Sequence, residues 1–380
     1  MTDLVVISLE SWDGVWRRNQ HLIWRMLQTD PSLRVLFVEP PADPLHELRS
    51  GRRPRLGRGP DDSNLHDRLW TMRPLKLLPR RFGDRADASI ERQVARAARR
   101  LGMGDPILWA NDPGGAEIAR RTGWRTLYDM TDDWLAAERP AVQLARVAAH
   151  ELYLLEHADQ VVACSPELQR RKSAQRTSGR EPVALIRNAV DAEAYRHPRP
   201  KPDDLPPGRI VLYVGTLHGD RLDVALCETL ARQLGEAGTL VLIGPNALPP
   251  AASASLRDAG VILLGPRPHD AVIAYLQHAD VLVVPHVVTS FTDSLDPIKL
   301  YEYQAVGRPI VATAVAGFRD ADDDRIVITD ASGFAGAVIA TLRGSRPLPV
   351  GLDRDVADWK DRAVAMLGIL SGLKRPSPAP

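Results

Sequence analysis

The chain has 380 residues, which is too long for one ordinary hydrophobic core and suits two α/β domains. Its apolar content (44%) and charged content (26%) are those of a soluble globular protein, and a net charge of +1 gives no reason to expect a nucleic-acid partner. Two isolated cysteines, Cys164 and Cys227, suit a reducing cytosol. No run of about 18 apolar residues is present, and the N-terminus leads directly into a strand pattern, so we expect a cytoplasmic protein.

The first half alternates apolar runs typical of buried parallel strands with helical patterns. The predicted strands are 4–9, 34–39, 106–110, 126–129, 160–165 and 183–186. The predicted helices include 15–28, 87–101 and 141–157. Residues 43–66 are rich in Arg, Gly, Pro and Asp and are predicted to form a long loop. No GxGxxG follows the first strand, so a dinucleotide fingerprint is not supported.

Residues 196–208 contain five prolines and few apolar side chains, which indicates a linker between domains 1–195 and 209–350. The second half repeats the strand-helix rhythm, which predicts a mostly parallel sheet. Its predicted strands are 210–214, 239–243, 261–264, 281–284 and 310–312, with helices at about 222–236, 268–278 and 296–305. Residues 351–372 contain a last apolar-periodic helix, and the tail 373–380 is expected to be disordered.

Ligands of open α/β sheets bind beyond the carboxyl ends of the strands, so the residues that follow each strand are candidates. In the second half, small or basic residues occupy these positions. They are Gly215, Thr216, Arg221, Gly244 and Arg267. Small residues let backbone amides approach a phosphate, and arginine supplies positive charge to a diphosphate. A glycine that follows a strand can also serve turn geometry alone.

The stretch 293–313 places Lys299 and Glu302 three residues apart near the start of a predicted helix. These side chains share a helix face, and a helix N-terminus favours an anion such as a diphosphate. Glu302 can accept two hydrogen bonds from a ribose diol. The alternative, an exposed ion pair of small energetic value, is less consistent with the Gly307-Arg308-Pro309 turn and β-branched strand that follow.

The segment Pro297-x-Lys299-x-x-Glu302-Tyr303-x-Ala305-x-Gly307-x-Pro309-Ile310-Val311-Ala312-Thr313 resembles the donor-nucleotide signature of GT-B glycosyltransferases. The resemblance is strongest to the large retaining glycosyltransferase family four. Tyr213-Val214-Gly215 with Arg221-Leu222-Asp223, and Leu242-Ile243-Gly244-Pro245, support it. In the first half, Trp12-Asp13 with Arg17-x-x-Gln20, and Asp129-x-x-Asp132-Asp133-Trp134, resemble a teichuronic-acid-type subgroup.

The resemblance implies two Rossmann-like α/β domains that face a cleft, with the nucleotide sugar bound mainly by the C-terminal domain. It implies Glu302 on the ribose, Arg221 and Lys299 at the diphosphate, and a last helix that returns to the N-terminal domain. Many relatives carry a first glutamate eight positions before the second, where this chain has Ser294. Asp293 and Asp296 are the alternatives for that role.

The N-terminal domain is expected to bind the acceptor. Three aspartates, Asp112, Asp132 and Asp133, follow strands, and seven of the eight tryptophans lie before residue 135. Our hypothesis is that Asp132 or Asp133 positions or deprotonates the acceptor hydroxyl, with Asp112 as a further candidate. The alternative assigns Trp109 and Trp124 to the core and Asp132 to a helix cap.

Three histidines, His21, His218 and His286, are additional candidates for donor contacts. No pair of residues has metal-ligand spacing, so we expect a metal-independent enzyme without a cofactor, in which basic groups and a helix N-terminus replace magnesium.

We therefore predict a glycosyltransferase that moves a hexose from a UDP-, GDP- or dTDP-sugar to a polysaccharide, glycolipid or small-molecule acceptor. The alternatives are a sugar-nucleotide-binding or scaffold protein without turnover and a GT-B sugar epimerase. Residues 49–100 hold fifteen Arg or Lys against six Asp or Glu, a local charge of 15 − 6 = +9. This segment predicts either peripheral contact with an anionic membrane or a solvated arginine-rich face.

Overall fold

The chain folds into two α/β units, each built on its own largely parallel sheet. In the computed structural model, the residues described are 1–13, 15–49, 51, 53–76, 84–136, 140–176, 179–345 and 355–373. The first unit comprises residues 1–13, 17–187 and the chain from 360 onward, and the second comprises 14–16 and 188–359. The predicted α/β fold class is confirmed.

Within the described residues, the first unit has an eight-stranded sheet in the order β3-β4-β2-β1-β5-β6-β7-β8. All neighbouring pairs are parallel except β3 and β4. The strands are β1 (Thr2–Ile7), β2 (Leu33–Val38), β3 (Arg58–Asp62), β4 (Leu69–Arg73), β5 (Ile107–Ala110), β6 (Thr126–Met130), β7 (Gln160–Ala163) and β8 (Ala184–Leu185). The apolar runs predicted these central strands because parallel strands are covered on both faces.

The helices of the first unit are α1 (Arg18–Thr29), α2 (Pro44–Arg49), α3 (Asp84–Arg100), α4 (Gly115–Thr122), α5 (Ala141–His157) and α6 (Pro166–Ser173). All except the short α2 bury apolar side chains in the core. Ser165 caps α6 by accepting a hydrogen bond from the Leu168 amide, and Pro166 occupies the first helical position. A Ser-Pro pair is typical of a helix start.

The prediction of a long loop over 43–66 is wrong, because α2 and β3 lie within it. The sequence of β3, RGPDD, has no apolar alternation. This strand is at the edge of the sheet and pairs on one side only, antiparallel to β4, so it needs no apolar face to be stable there. The pattern rules for buried strands do not detect such an element.

The second unit has a six-stranded parallel sheet, within the residues described, in the order β11-β10-β9-β12-β13-β14. The strands are β9 (Ile210–Val214), β10 (Thr239–Ile243), β11 (Ile262–Gly265), β12 (Val281–Val284), β13 (Ile310–Ala312) and β14 (Ile326–Ile328). One apolar core lies on each face of the sheet, one including Tyr195, Leu212 and Tyr303, the other including Tyr213, Leu242 and Phe334.

The helices of the second unit fill the crossovers of this sheet. They are α7 (Ala192–Arg196), α8 (Val224–Leu234), α9 (Pro250–Asp258), α10 (His269–Gln277), α11 (Ile298–Val306) and α12 (Ala331–Gly344). The last helix, α13 (Trp359–Gly372), lies in the region predicted as 351–372, and the chain from Lys360 onward groups with the first unit. The second unit begins at Asn188, eight residues before the proline-rich linker.

In the part of the chain that the structure describes, no helix combines the length and the apolar character needed to span a bilayer. The predicted disordered tail from residue 374 lies outside the described residues, and so does most of the stretch between α12 and α13.

Candidate functional site

The loops after β9 and β10 approach each other closely at the carboxyl end of the second sheet. Gly215 follows β9 with φ +151°, and Gly244 follows β10 with φ +144°. A Cβ atom built on Gly244 would lie 2.1 Å from the carbonyl oxygen of Gly215, a distance that no side chain tolerates. The two glycines are therefore required by the backbone, and they leave the strand ends open to a ligand.

Lys299 lies against this backbone in a cluster with Tyr213 and His286. Its Nζ is 3.0 Å from the Tyr213 hydroxyl and 3.2 Å from His286 Nε2. Tyr213 and His286 also contact each other, at 3.0 Å between hydroxyl and Nε2. A Cβ on Gly215 would lie 2.8 Å from Lys299 Nζ. The sequence predicted Lys299 and offered His286 as a donor contact, but it did not predict that these two side chains meet each other and Tyr213 near the end of β9.

The electrostatics of the cluster favour an anionic ligand. Burial, and then the positive charge of Arg221, lower the pKa of Lys299 to about 7, while Glu302 opposes the shift. Burial, and then the charges of Lys299 and Arg221, hold the pKa of His286 well below its usual value, so its imidazole is neutral at neutral pH. A bound diphosphate would neutralise this accumulated positive charge and stabilise the ammonium form of Lys299.

Glu302 occupies the next turn of α11 and is buried. Its Oε1 accepts a hydrogen bond of 3.2 Å from the Tyr195 hydroxyl. Burial and the Glu302 charge raise the pKa of Tyr195 well above its usual value, so the tyrosine stays a donor. Tyr195 therefore orients the carboxylate, and this partner in α7 was not predicted from the sequence. Glu302 remains free to accept further hydrogen bonds through its other oxygen lone pairs.

Arg221 and Thr216 lie on the loop that follows β9. The Arg221 guanidinium is half-buried, 5.4 Å from the centroid of the Phe291 ring, and its Nε donates to Asp220. The Val287 amide donates to the Arg221 carbonyl at 2.8 Å, which fixes this loop beside the residues after β12. His218 is exposed on the same loop and pairs with Asp220 at 2.7 Å. His21 lies instead on α1 of the first unit, where it is buried.

Ser294, which stands where many relatives have the first glutamate, and the two alternatives Asp293 and Asp296 differ in their surroundings. Ser294 is fully buried, and its hydroxyl donates to the Phe291 carbonyl at 2.7 Å. Asp296 is buried and accepts hydrogen bonds from the Asn188 amide (2.6 Å) and the Tyr301 hydroxyl (2.9 Å). Asp293 is half-buried and pairs with Arg319 at 2.6 Å. Asp296 therefore tethers residue 188 to α11, and Asp293 is the more accessible carboxylate.

Arg267 follows β11 but is held by a different set of contacts. Its Nη2 lies 2.5 Å from Asp204, and its Nε lies 3.0 Å from the Tyr275 hydroxyl. The hydrogen bond to Asp204 raises its pKa further above the usual arginine value. The structure thus joins Arg267 to residues of the linker and α10 rather than to the Lys299 cluster.

The three predicted aspartates of the first unit separate into different roles. Asp133 is buried and accepts from Arg171 Nη1 (3.2 Å) and Lys172 Nζ (3.1 Å), and Lys172 also contacts Glu151. Asp112 accepts a 2.7 Å hydrogen bond from the Gly114 amide in a turn before α4. Asp132 is half-buried, with its Oδ2 3.3 Å from the Thr131 hydroxyl. Asp133 is thus bound to cations of the core, whereas Asp132 lies nearer the surface.

A buried polar network that the sequence did not identify lies at the carboxyl end of the first sheet. Arg18, at the start of α1, binds Asp129 of β6 through both Nε and Nη2, at 3.0–3.3 Å. Asn111 donates to Asp129 Oδ2 at 3.1 Å, and Asn19 donates to the Ser8 hydroxyl at 2.8 Å. Arg18 lies within the Arg17-x-x-Gln20 motif, and Asp129 begins the second motif of this half. Only the fold brings residues 18 and 129 together.

Residues 208–344 match the family model described as glycosyl transferases group 1. These residues form a glycosyl transferase group 1 domain. The match covers the sheet of the second unit, with Gly215, Arg221, Gly244, Lys299 and Glu302. The predicted resemblance to this class of enzymes is confirmed.

A Bacillus subtilis protein named as a teichuronic acid biosynthesis glycosyltransferase, TuaH, is 27% identical over 218 residues, or 54% of this chain and 55% of that protein. The chain thus matches about half the length of this relative. Sucrose-phosphate synthase from Thermosynechococcus elongatus is similar in fold, with TM-score 0.70, 18% identity and coverage of 98% of this chain and 99% of that one. The Anabaena protein HepE, solved with UDP and glucose, has TM-score 0.62, 13% identity, and coverage of 98% and 100%. The fold is that of the GT-B glycosyltransferases.

Among the residues that the structure describes, no group of three or more His, Cys, Asp or Glu is arranged to hold a metal ion.

Proposed function

We propose that the chain is a glycosyltransferase that moves a sugar from a nucleotide sugar to a hydroxyl acceptor. The observation that carries the proposal is the cluster of Lys299, Tyr213 and His286 against Gly215, inside the glycosyl transferase group 1 domain. Burial and the charge of Arg221 leave the Lys299 ammonium poorly stabilised. The site therefore suits a ligand that brings negative charge.

In this proposal, each residue of the site has one task. The open backbone at Gly215, Thr216 and Gly244 and the charges of Lys299 and Arg221 bind the diphosphate, which leaves with the nucleotide. Glu302, oriented by Tyr195, binds the ribose diol. The proposal also includes that the transferred sugar is a hexose and that its anomeric configuration is retained, because residues 297–313 resemble the retaining family. UDP is the first nucleotide to test, because HepE was solved with it.

A second candidate is a protein that binds a nucleotide sugar without transferring it. The observation in its favour is Ser294, which is fully buried where many relatives have the first glutamate, so it cannot replace a carboxylate. Asp293, half-buried beside Arg319, is the accessible carboxylate that the enzyme proposal assigns to the transferred sugar.

Calorimetry with UDP, GDP and dTDP, followed by assays of donor hydrolysis and transfer, tests these proposals. We expect one nucleotide to bind and its sugar to be released in the presence of an acceptor. Glu302→Gln is expected to weaken binding about tenfold or more, since hydrogen bonds to a charged group contribute about 1.5–3 kcal/mol. The exposed Glu193→Gln is the matched control. Binding without turnover for every acceptor would leave the second candidate, and no binding would contradict both.

Asp132 is the residue that we propose for the acceptor hydroxyl. Asp132→Asn is expected to lower the transfer rate about 10²–10⁴-fold with donor affinity unchanged, as for the loss of a general base. Asp133→Asn should instead lower the melting temperature, because Lys172 and Arg171 lose a buried counter-charge. Full transfer activity in Asp132→Asn would contradict the assignment.

A further inference from the structure

The short helix α2 (Pro44–Arg49) is amphipathic in the reverse sense to an ordinary surface helix. Leu45 and Leu48, three residues apart and so on one side of the helix, are 46% and 59% exposed, whereas the charged Glu47 is 5% exposed. A surface helix usually turns its apolar side chains to the core and its charges to water. In α2 the leucine side chains are therefore exposed to solvent, and the glutamate is buried.

Contacts of Glu47 fix this orientation and add a third leucine to the surface. The Glu47 carboxylate accepts hydrogen bonds from the Arg55 amide (2.5 Å) and from Arg55 Nε (2.6 Å). These bonds fasten the chain around residue 55 to α2. Leu56, the next residue, is 73% exposed. Single exposed leucines are common on proteins, but three in two segments that are bonded to each other form a patch.

The same stretch is strongly basic. Residues 44–58 contain five arginines and one glutamate, a charge of 5 − 1 = +4, and the glutamate is already paired with Arg55. Arg49 and Arg53 are exposed. Arg58 is paired with Glu39, so the positive charge of the patch comes mainly from Arg49 and Arg53. The patch therefore combines exposed apolar side chains with exposed arginines.

We propose that Leu45, Leu48 and Leu56, with the arginines around them, form a surface that docks on an anionic lipid membrane. Leucine side chains enter the boundary between headgroups and acyl chains, and arginines bind the negative headgroups. A protein partner with an acidic groove is the other kind of partner that an apolar and basic surface could bind. The membrane is favoured because all three leucines are about half-exposed or more and exposed arginines lie between them in the chain, which suits a laterally extended anionic surface.

The other basic surface of this region lacks the apolar component. On α3 the arginines Arg92, Arg96, Arg99 and Arg100 are exposed, but the apolar Val94 and Ala98 of the same helix are buried in the core. Such a face is well solvated and has nothing to insert into a bilayer. The structure thus divides the basic segment 49–100 into a docking surface near residues 45–56 and a solvated helix face.

Co-sedimentation of the full chain with vesicles of phosphatidylcholine, with or without phosphatidylglycerol, tests the proposal. We expect binding to the anionic vesicles that weakens with salt. The variant Leu45→Ser/Leu48→Ser/Leu56→Ser should bind at least about tenfold more weakly, because the buried apolar area is lost. Arg49→Ser/Arg53→Ser should bind about 25-fold more weakly, since each arginine near an anionic surface contributes about fivefold. These side chains are exposed, so folding should be unaffected.

Two controls make the result specific. Leu152→Ser replaces a comparably exposed leucine of α5, and Arg92→Ser/Arg96→Ser removes two charges from α3. Both should bind vesicles as the wild-type chain does. The proposal is overturned if the wild-type chain stays in solution with anionic vesicles, or if the α3 variant loses binding while the leucine variant keeps it. Nucleotide binding is measured separately, so this outcome does not depend on the proposed activity.

Discussion

Replacing Lys299 with methionine is expected to lower kcat/KM for the nucleotide sugar by about 10²–10³-fold, the usual effect of removing one charge-stabilising group from a transfer site. Methionine keeps the length and packing of the side chain but removes the ammonium that lies against Gly215. In this variant Tyr213 and His286 keep their contact with each other but lose the contact with the ammonium. Steady-state kinetics and calorimetry with the donor measure the effect. Lys201→Met, at an exposed position of the linker, is the matched control.

The pH dependence of donor binding gives the same residue a second test. Before the donor binds, burial and Arg221 lower the pKa of Lys299 to about 7. Its side chain is therefore mainly protonated below this pH and mainly neutral above it. A diphosphate favours the ammonium, so above pH 7 binding takes up a proton and the affinity falls as pH rises. The decrease approaches about tenfold per pH unit until the pKa of the bound state is reached. His286 does not contribute, since its pKa is held well below its usual value.

Calorimetry with the intact nucleotide sugar across this range should therefore show weaker binding at high pH for the wild-type chain and a flat profile for Lys299→Met. Proton uptake appears as a dependence of the binding enthalpy on the buffer. If Lys299→Met kept the wild-type kcat/KM within about threefold, or kept the same pH profile, Lys299 would not contact the diphosphate.

Replacing Asp129 with alanine is expected to destabilise the first unit by about 3–5 kcal/mol, because the buried Arg18 guanidinium would lose the carboxylate that its Nε and Nη2 bind. Arg18 and Asp129 are both almost completely inaccessible to solvent and are joined by two donor nitrogens. Asn111 would also lose its carboxylate acceptor and keep only the backbone carbonyl of residue 129. Chemical unfolding followed by tryptophan fluorescence reports on this unit, which contains most of the tryptophans.

The control for this variant is Asp87→Ala, which breaks an ion pair with Arg146 whose guanidinium is well exposed. Such surface pairs contribute about 0–1 kcal/mol. The double variant Arg18→Leu/Asp129→Ala should recover part of the lost stability, since the buried guanidinium is then removed together with its carboxylate. Equal stabilities for Asp129→Ala and Asp87→Ala would show that the buried pair does not hold this part of the sheet.

The sequence predicted the elements whose stability comes from burial on both faces. Strands β9, β10, β12 and β13 begin and end where the apolar runs do, because a parallel strand covered by helices has no polar side. The edge strand β3 and the reversed helix α2 were missed for the opposite reason. Their side chains do not follow the burial rules on which the patterns depend.

The residues of the site also fall into those that the sequence predicted and those that it did not. The i,i+3 spacing of Lys299 and Glu302 was readable because it is local. Their partners were not, because Tyr213 lies 86 residues and Tyr195 lies 107 residues away in the chain. Arg267 follows its strand as predicted, but its preference for Asp204 over the Lys299 cluster depends on where the linker runs. Residue type and strand ends suggest candidates, and tertiary contacts select among them.

The two ends of the long segment that forms most of the second unit lie side by side. The Val190 amide donates to the Ala357 carbonyl at 2.9 Å, and the Trp359 amide donates to the Val190 carbonyl at 3.0 Å. Chain entry and exit at one point is the property that lets a domain be inserted into another during evolution. Residues 188–359 thus have the topology of a cassette, and exchanging this segment between relatives at these two positions would move the proposed donor site as one piece while leaving the sheet of the first unit continuous.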